Sequence, residues 1–177
     1  MMEQHELIIP SGVTREIVIV HNSPDAARRV IRLAGAGASV TIEEIFVSGG
    51  VASELVIMHE AGNTISKVRS RGVVDKQETV KAHATVQVPK GITGCTTHVT
   101  QEFLLMDDSA KVDVLPALEI EEQDVSAGHK AAIAPLDEEK LFYLTARGLA
   151  ESDAKKMIIQ GFLNVPKDFR HAVGKWQ

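Results

Sequence analysis

The sequence predicts a mainly β chain, a solenoid that coils strand by strand and ends in a short helical hairpin. Three observations lead there. Short β-rich runs recur between turn signals, aromatic residues are scarce, and the hydrophobic period switches from two to a helical one near residue 136. With five Phe, one Trp and one Tyr in a chain that is 44% hydrophobic, the core has to be aliphatic. Thin, regularly stacked layers suit such a core better than a bulky sandwich.

In order, the β-rich runs are Glu6–Ile9, Glu16–Val20, Arg29–Leu33, Ser39–Val47, Glu54–His59, Thr64–Val74, Thr79–Val88, Thr96–Met106 and Lys111–Leu115. In Glu16-Ile17-Val18-Ile19-Val20 and Lys111-Val112-Asp113-Val114-Leu115, residues two apart share a face. Glycines fall between or beside the runs, as in Ala34-Gly35-Ala36-Gly37-Ala38. Such spacing admits a sandwich or barrel as well as a solenoid. The sequence contains no Asn-Gly or Asp-Gly pair, which weakens the hairpin alternative, although no exact repeat is legible either.

Beyond residue 136 the pattern is helical. Asp137 is placed to cap a helix whose first turn carries Glu138 and Glu139, where the helix dipole favours acids. Leu141, Phe142, Leu144 and Thr145 form its expected apolar face, and Arg147-Gly148 its end. A second helix is expected over about Glu151–Phe162, with Ala154, Met157, Ile158 and Phe162 along one side and Pro166 barring its continuation. The expected domains are a β core at 1–135, a helical segment at 136–165 and a flexible tail at 166–177.

Charge and composition narrow the function. A formal net charge of −5 with dispersed basic residues argues against a nucleic-acid partner, and the densest basic group, Arg28, Arg29 and Arg32, reads as a solvated face. No stretch approaches the roughly 20 apolar residues that span a bilayer, and Met1–Glu6 lacks the form of a signal peptide. Cys95 is the single cysteine, so no disulfide framework forms within one chain, and a reducing cytoplasm is the expected compartment.

One longer feature is specific. Leu115-Pro116-Ala117-Leu118-Glu119-Ile120, then Asp124-Val125, His129, Leu136–Leu144 and Arg147-Gly148-Leu149 resembles the C-terminal core of the SufB/SufD family, with its "P-x-LEI", "DV" plus histidine and "DEE-x-LFYL-x-x-RGL" in the same order. Phe103-Leu104-Leu105-Met106 resembles the strand before that core. The resemblance implies a right-handed parallel β-helix and a non-enzymatic scaffold or adaptor of SUF-type iron–sulfur cluster assembly. Its implied partners are a SufC-type ATPase on the helical segment and a second copy or a SufB/SufD paralogue in a dimer. A transient iron–sulfur cluster or iron is the implied cargo. The chain has no Gly-x-x-x-x-Gly-Lys-Ser/Thr, so it is expected to be the ATPase's partner and not the ATPase.

Two departures from the family stand out. Its members are commonly longer, so this chain is expected to begin inside the β-helix, with the helical hairpin covering one end of the solenoid and the other end exposed or shared in a dimer. SufB proteins also carry a cysteine on the strand corresponding to Thr100–Met106, and Glu102 stands at about that place here.

His129 matches a family histidine near the subunit interface and is the leading cluster or metal candidate, imidazole being a suitable iron ligand. Cys95 and Glu102 are the other two. Cys95 could equally pack as a small hydrophobe, and Glu102 could face solvent. Leu141, Phe142, Tyr143, Arg147, Ile158 and Phe162 are the candidates for ATPase docking. Four consecutive large residues, Leu141–Leu144, cannot all face one small core, and Tyr143 is expected on the far side. His83 and His98 are close enough in sequence for stacking to align them, without a metal-site spacing.

Two other readings stand beside the scaffold. One is a structural or regulatory SufB/SufD-like protein without cluster chemistry. The other is a carbohydrate-active β-helix enzyme, for which one Trp and one Tyr offer little aromatic platform.

Overall fold

Alternation writes two faces onto each strand, and stacking decides which face is enclosed. A computed structural model describes residues 2–168. Among these residues the elements are β1 (Glu3–Ile9), β2 (Thr14–His21), β3 (Asp25–Leu33), β4 (Ser39–Phe46), β5 (Val51–His59), β6 (Ile65–Val74), β7 (Thr79–Val88), β8 (Cys95–Leu105), β9 (Lys111–Ile120), β10 (Val125–Pro135), α1 (Glu138–Ala146) and α2 (Glu151–Leu163). The expected tail falls outside the described residues from residue 169 onward.

Odd strands form one sheet, β1-β3-β5-β7-β9, and even strands the other, β10-β8-β6-β4-β2. Every pairing is parallel, so each coil contributes one strand to each sheet and no hairpin occurs among the described residues. This is the expected β-solenoid. The unseen repeat has a simple cause. Register partners lie 24 residues apart between β1 and β3 (Glu3 beside Ala27) and 32 apart between β7 and β9 (Thr79 beside Lys111). The coils lengthen along the chain, so no fixed period exists.

Inside, like side chains stack coil upon coil. Leu7, Ile31, Ile57, Val86 and Leu118 line one sheet, and Ile17, Ile42, Val68 and Val99 the other. Each aliphatic fully enclosed in this way contributes roughly 1.5–3 kcal/mol. Phe46 and Phe103 pack with ring centroids 5.3 Å apart on either side of Gly72. A Cβ at Gly72 would drive into the Phe103 ring and the Phe46 Cβ, so a glycine must sit between the two aromatics.

The interior also holds charge. Val40, Ile42 and Glu44 share the enclosed face of β4, and Glu44 is buried. Its carboxylate accepts from His21 Nε2 at 3.0 Å, Ser53 Oγ at 2.5 Å and Ser70 Oγ at 2.9 Å. Burial alone would raise the Glu44 carboxyl. The hydrogen bond and charge of His21, joined by the two hydroxyls, outweigh it and hold the group below the usual carboxylate range. His21 Nδ1 lies 3.4 Å from Asp25, and its ring stacks on Phe46. Arg29 pairs with Asp25 at 3.4 Å and its side chain is only 19% exposed, which corrects the solvated-face reading for that residue.

The helices follow the expected bounds closely but not the expected faces. Asp137 caps α1 by accepting from the Lys140 amide, and Gly148 takes a positive φ of 92° after the Arg147 C-cap. Yet α1 buries no residue fully: Phe142, of its expected apolar face, is exposed, while Tyr143 is exposed as expected. α2 buries Ala154, Ile159 and Leu163, while Met157 points out. The buried face of α2 is set by the outer surface of the even-strand sheet, where Ile159 and Leu163 pack on Ile45, Val47, Val73 and Leu104. These contacts span β4, β6 and β8, so α2 runs along the side of the solenoid. The helices therefore do not cover its end, contrary to the expectation.

Candidate functional site

The last coil, β9 and β10, carries His129, while Cys95 and Glu102 stand on β8. β10 was not among the expected strands, because Ser126-Ala127-Gly128 and Ala131-Ala132 lack β-branched side chains. Pairing with β8 makes it a strand, Val125 beside Cys95 through Pro135 beside Leu105. Among the described residues β9 and β10 each occupy the edge of their sheet, and their inward residues face no further coil.

His129 continues the stack Ile17, Ile42, Val68, Val99. Where four coils place an aliphatic, the open coil places an imidazole, which is exposed. Its Nδ1 lies 2.8 Å from the Pro116 carbonyl across the coil. A carbonyl oxygen only accepts, so Nδ1 carries the proton and donates. The neutral ring therefore keeps its lone pair on Nε2, the arrangement found in metal-binding histidines oriented by a backbone carbonyl.

The structure does not bring Cys95 or Glu102 to this ring. Cys95 opens β8, is buried, and has Sγ 3.3 Å from Thr64 Oγ1. It is four residues along the strand from Val99, the register partner of His129, or about 13 Å at a strand's rise per residue. Glu102 faces the outer side, 2.7 Å from Lys130 Nζ and 3.8 Å from Arg71 Nε. The hydrogen bond from Lys130 holds its carboxyl below the usual range, helped by the charges of Lys130 and Arg71. His83 and His98 lie on opposite sheets, so stacking does not align them. His83 instead faces Asp113 at 3.0 Å. Among the described residues no three His, Cys, Asp or Glu side chains converge as a metal site.

Sequence reasoning missed the buried polar residues. His59 sits with Nδ1 2.7 Å from Thr64 Oγ1 and Nε2 2.9 Å from Ser66 Oγ, and Ser66 continues to Thr97 at 2.7 Å. The Thr64 hydroxyl donates to the Ala61 carbonyl, so it accepts from Nδ1–H, and Ser66 donates to Nε2. Burial pushes the His59 imidazole down to about 4. The signal was strand parity: Glu44 follows Val40 and Ile42 at spacing two.

The docking candidates gather on the helical pair. Phe142 is 74% and Tyr143 55% exposed, with the Arg147 guanidinium 4.5 Å above the Tyr143 ring. Leu141, Ile158 and Phe162 are half-buried. Tyr143, Leu144 and Ile158 line a cleft of about 490 Å³ between the helices, and Met157, Ile158 and Phe162 line another of about 350 Å³. Among the described residues no helix is long and apolar enough to cross a membrane.

Comparison with known proteins agrees with this architecture. The family described as SUF system FeS cluster assembly, SufBD core domain, matches residues 20–162. An iron–sulfur cluster assembly SufBD family protein of Mycobacterium leprae is 38% identical over 106 residues, 60% of this chain and 12% of that protein. A SufBD family protein of Mycobacterium tuberculosis is 37% identical over the same length. The iron–sulfur cluster assembly protein SufB of Bacillus subtilis is 31% identical over 106 residues, 60% of this chain and 23% of SufB. The matched stretch thus spans less than a quarter of the length of these relatives. With most of its length matched by that core domain, the chain belongs to the SufB/SufD family of the SUF iron–sulfur cluster assembly system.

Proposed function

We propose that this chain is a non-enzymatic scaffold of iron–sulfur cluster assembly, which receives iron or a nascent cluster as cargo at the open end of its solenoid. The observation that carries the reading is His129: the Pro116 carbonyl holds Nδ1–H and leaves Nε2 free on the last coil. One imidazole is too few ligands for a cluster, which usually takes four. The remaining ligands come from a second subunit, either a copy of this chain or a SufB/SufD paralogue, paired along the unpaired edges of β9 and β10. A SufC-type ATPase seats on the exposed helical pair, and the assembly works in the cytoplasm.

Anaerobic reconstitution with iron and sulfide, with and without the ATPase, tests the cargo role. The expected result is a visible charge-transfer absorbance that is lost in His129→Ala. An absorbance that never develops, or that His129→Ala leaves unchanged, overturns it. Light scattering on size-exclusion eluate tests the pairing, and a monomer at micromolar concentration counts against it.

One observation favours a second reading, a structural or regulatory subunit without cluster chemistry. Cys95 is buried and Glu102 is held by Lys130 and Arg71, so only His129 of the three candidates presents a free ligand atom. In that case pairing and ATPase binding persist while reconstitution yields no cluster.

A further inference from the structure

On the far side of α1 from the Tyr143 cleft lies a third hollow, of about 530 Å³, formed where the β8–β9 turn meets the start of both helices. Leu105, Met106, Pro135, Leu136 and Leu141 give it apolar walls, and Phe142 stands at its mouth, 74% exposed. An aromatic ring of this size left in water beside an apolar hollow marks a contact surface.

The border of the hollow selects the occupant. Asp107, Asp108, Glu138 and Glu151 surround it, and among the described residues Lys155 is the one basic residue lining it. Lys155 is itself taken by Glu151 at 2.6 Å. The hydrogen bonds of Ser109 hold the Asp107 carboxyl low, and that of Lys155 does the same for Glu151, so both are ionised at neutral pH. A lipid headgroup or a phosphate would be repelled by this border. An apolar side chain flanked by Lys or Arg fits both the walls and the charge.

We propose that this hollow receives a basic, apolar-tipped segment of the ATPase, so that docking uses both sides of α1 and is steered by charge. The inference rests on the docking reading above and adds to it a seat and a partner chemistry. It makes the β8–β9 turn of the solenoid part of the contact.

The test is binding of the full chain to its SufC-type ATPase by calorimetry. Three forms are compared: wild type, the double variant Asp108→Lys/Glu138→Lys, and a charge-matched control, Glu3→Lys/Glu16→Lys, on the first coil. The replaced residues are exposed, and circular dichroism checks that each form folds. The expected result is a loss of about tenfold or more for the cleft variant and none for the control. Wild-type binding should also weaken when salt rises from about 0.05 M to about 0.5 M. Charge reversal of one ATPase Lys or Arg to Glu should restore affinity for the cleft variant. Equal binding by all three forms, or equal weakening of both variants, overturns the cleft as the seat while leaving ATPase docking intact. If wild type does not bind at all, the docking reading falls and the cleft falls with it.

Discussion

His129 Nδ1 lies 2.8 Å from the Pro116 carbonyl oxygen, a contact that crosses the last coil from β10 to β9. The two residues are 13 apart in sequence, and nothing in their local pattern joins them. Their meeting sets the tautomer of the one candidate ligand that is not enclosed or ion-paired.

The neutral His129 ring should therefore be the Nδ1–H form. Nitrogen-15 shifts of the two ring atoms report this directly, with Nε2 the unprotonated one. Iron(II) added anaerobically should perturb Nε2 first. A ring protonated at Nε2 contradicts the Pro116 contact.

Glu44 is a buried anion held by His21, Ser53 and Ser70. Removing it in Glu44→Ala leaves His21 enclosed without its main partner, and such a loss costs about 3–5 kcal/mol. Urea unfolding measures it. Glu44→Gln should cost less, because the amide still accepts from the serine hydroxyls.

His59 binds its proton less tightly when folded, at about 4, than the ordinary 6.5. Between these values the unfolded chain carries the proton and the folded chain does not, so stability falls as pH drops from about 6.5 toward 4 and levels off below. His59→Gln should flatten that part of the urea-midpoint profile relative to the native chain. Parallel profiles would show that His59 does not cause the slope.

Gly72 separates Phe46 from Phe103. Gly72→Ala should destabilise by about 1–3 kcal/mol through overpacking. Adding Phe103→Leu should recover part of that loss, and a strictly additive double variant would mean that the clash lies elsewhere.

Much of the fold was legible because alternation is local. All nine expected runs became strands, since Val51–His59 and Thr79–Val88 carry their inward residues at a spacing of two regardless of neighbours. β10 was not legible, because its small residues carry weak strand preference and its conformation comes from pairing with β8. The buried face of α2 was not legible either. Ala154-Met157-Ile158-Phe162 is a reasonable helical stripe, but Ile159 and Leu163 are the residues that meet the sheet.

By itself the sequence determined a succession of short strands followed by two helices, and through the motifs from Leu115 to Leu149 it pointed to the family, whose resemblance implied the β-helix where strand spacing still admitted a sandwich. These properties rest on spacing within single elements and on residue identity. Only the tertiary structure decided that Glu44 is enclosed, that Cys95 and Glu102 lie apart from His129, and that the helices flank the solenoid and leave its last coil open. Each of those depends on the register between strands 24 to 32 residues apart, and strand alternation cannot reveal a coil length that changes from one turn to the next.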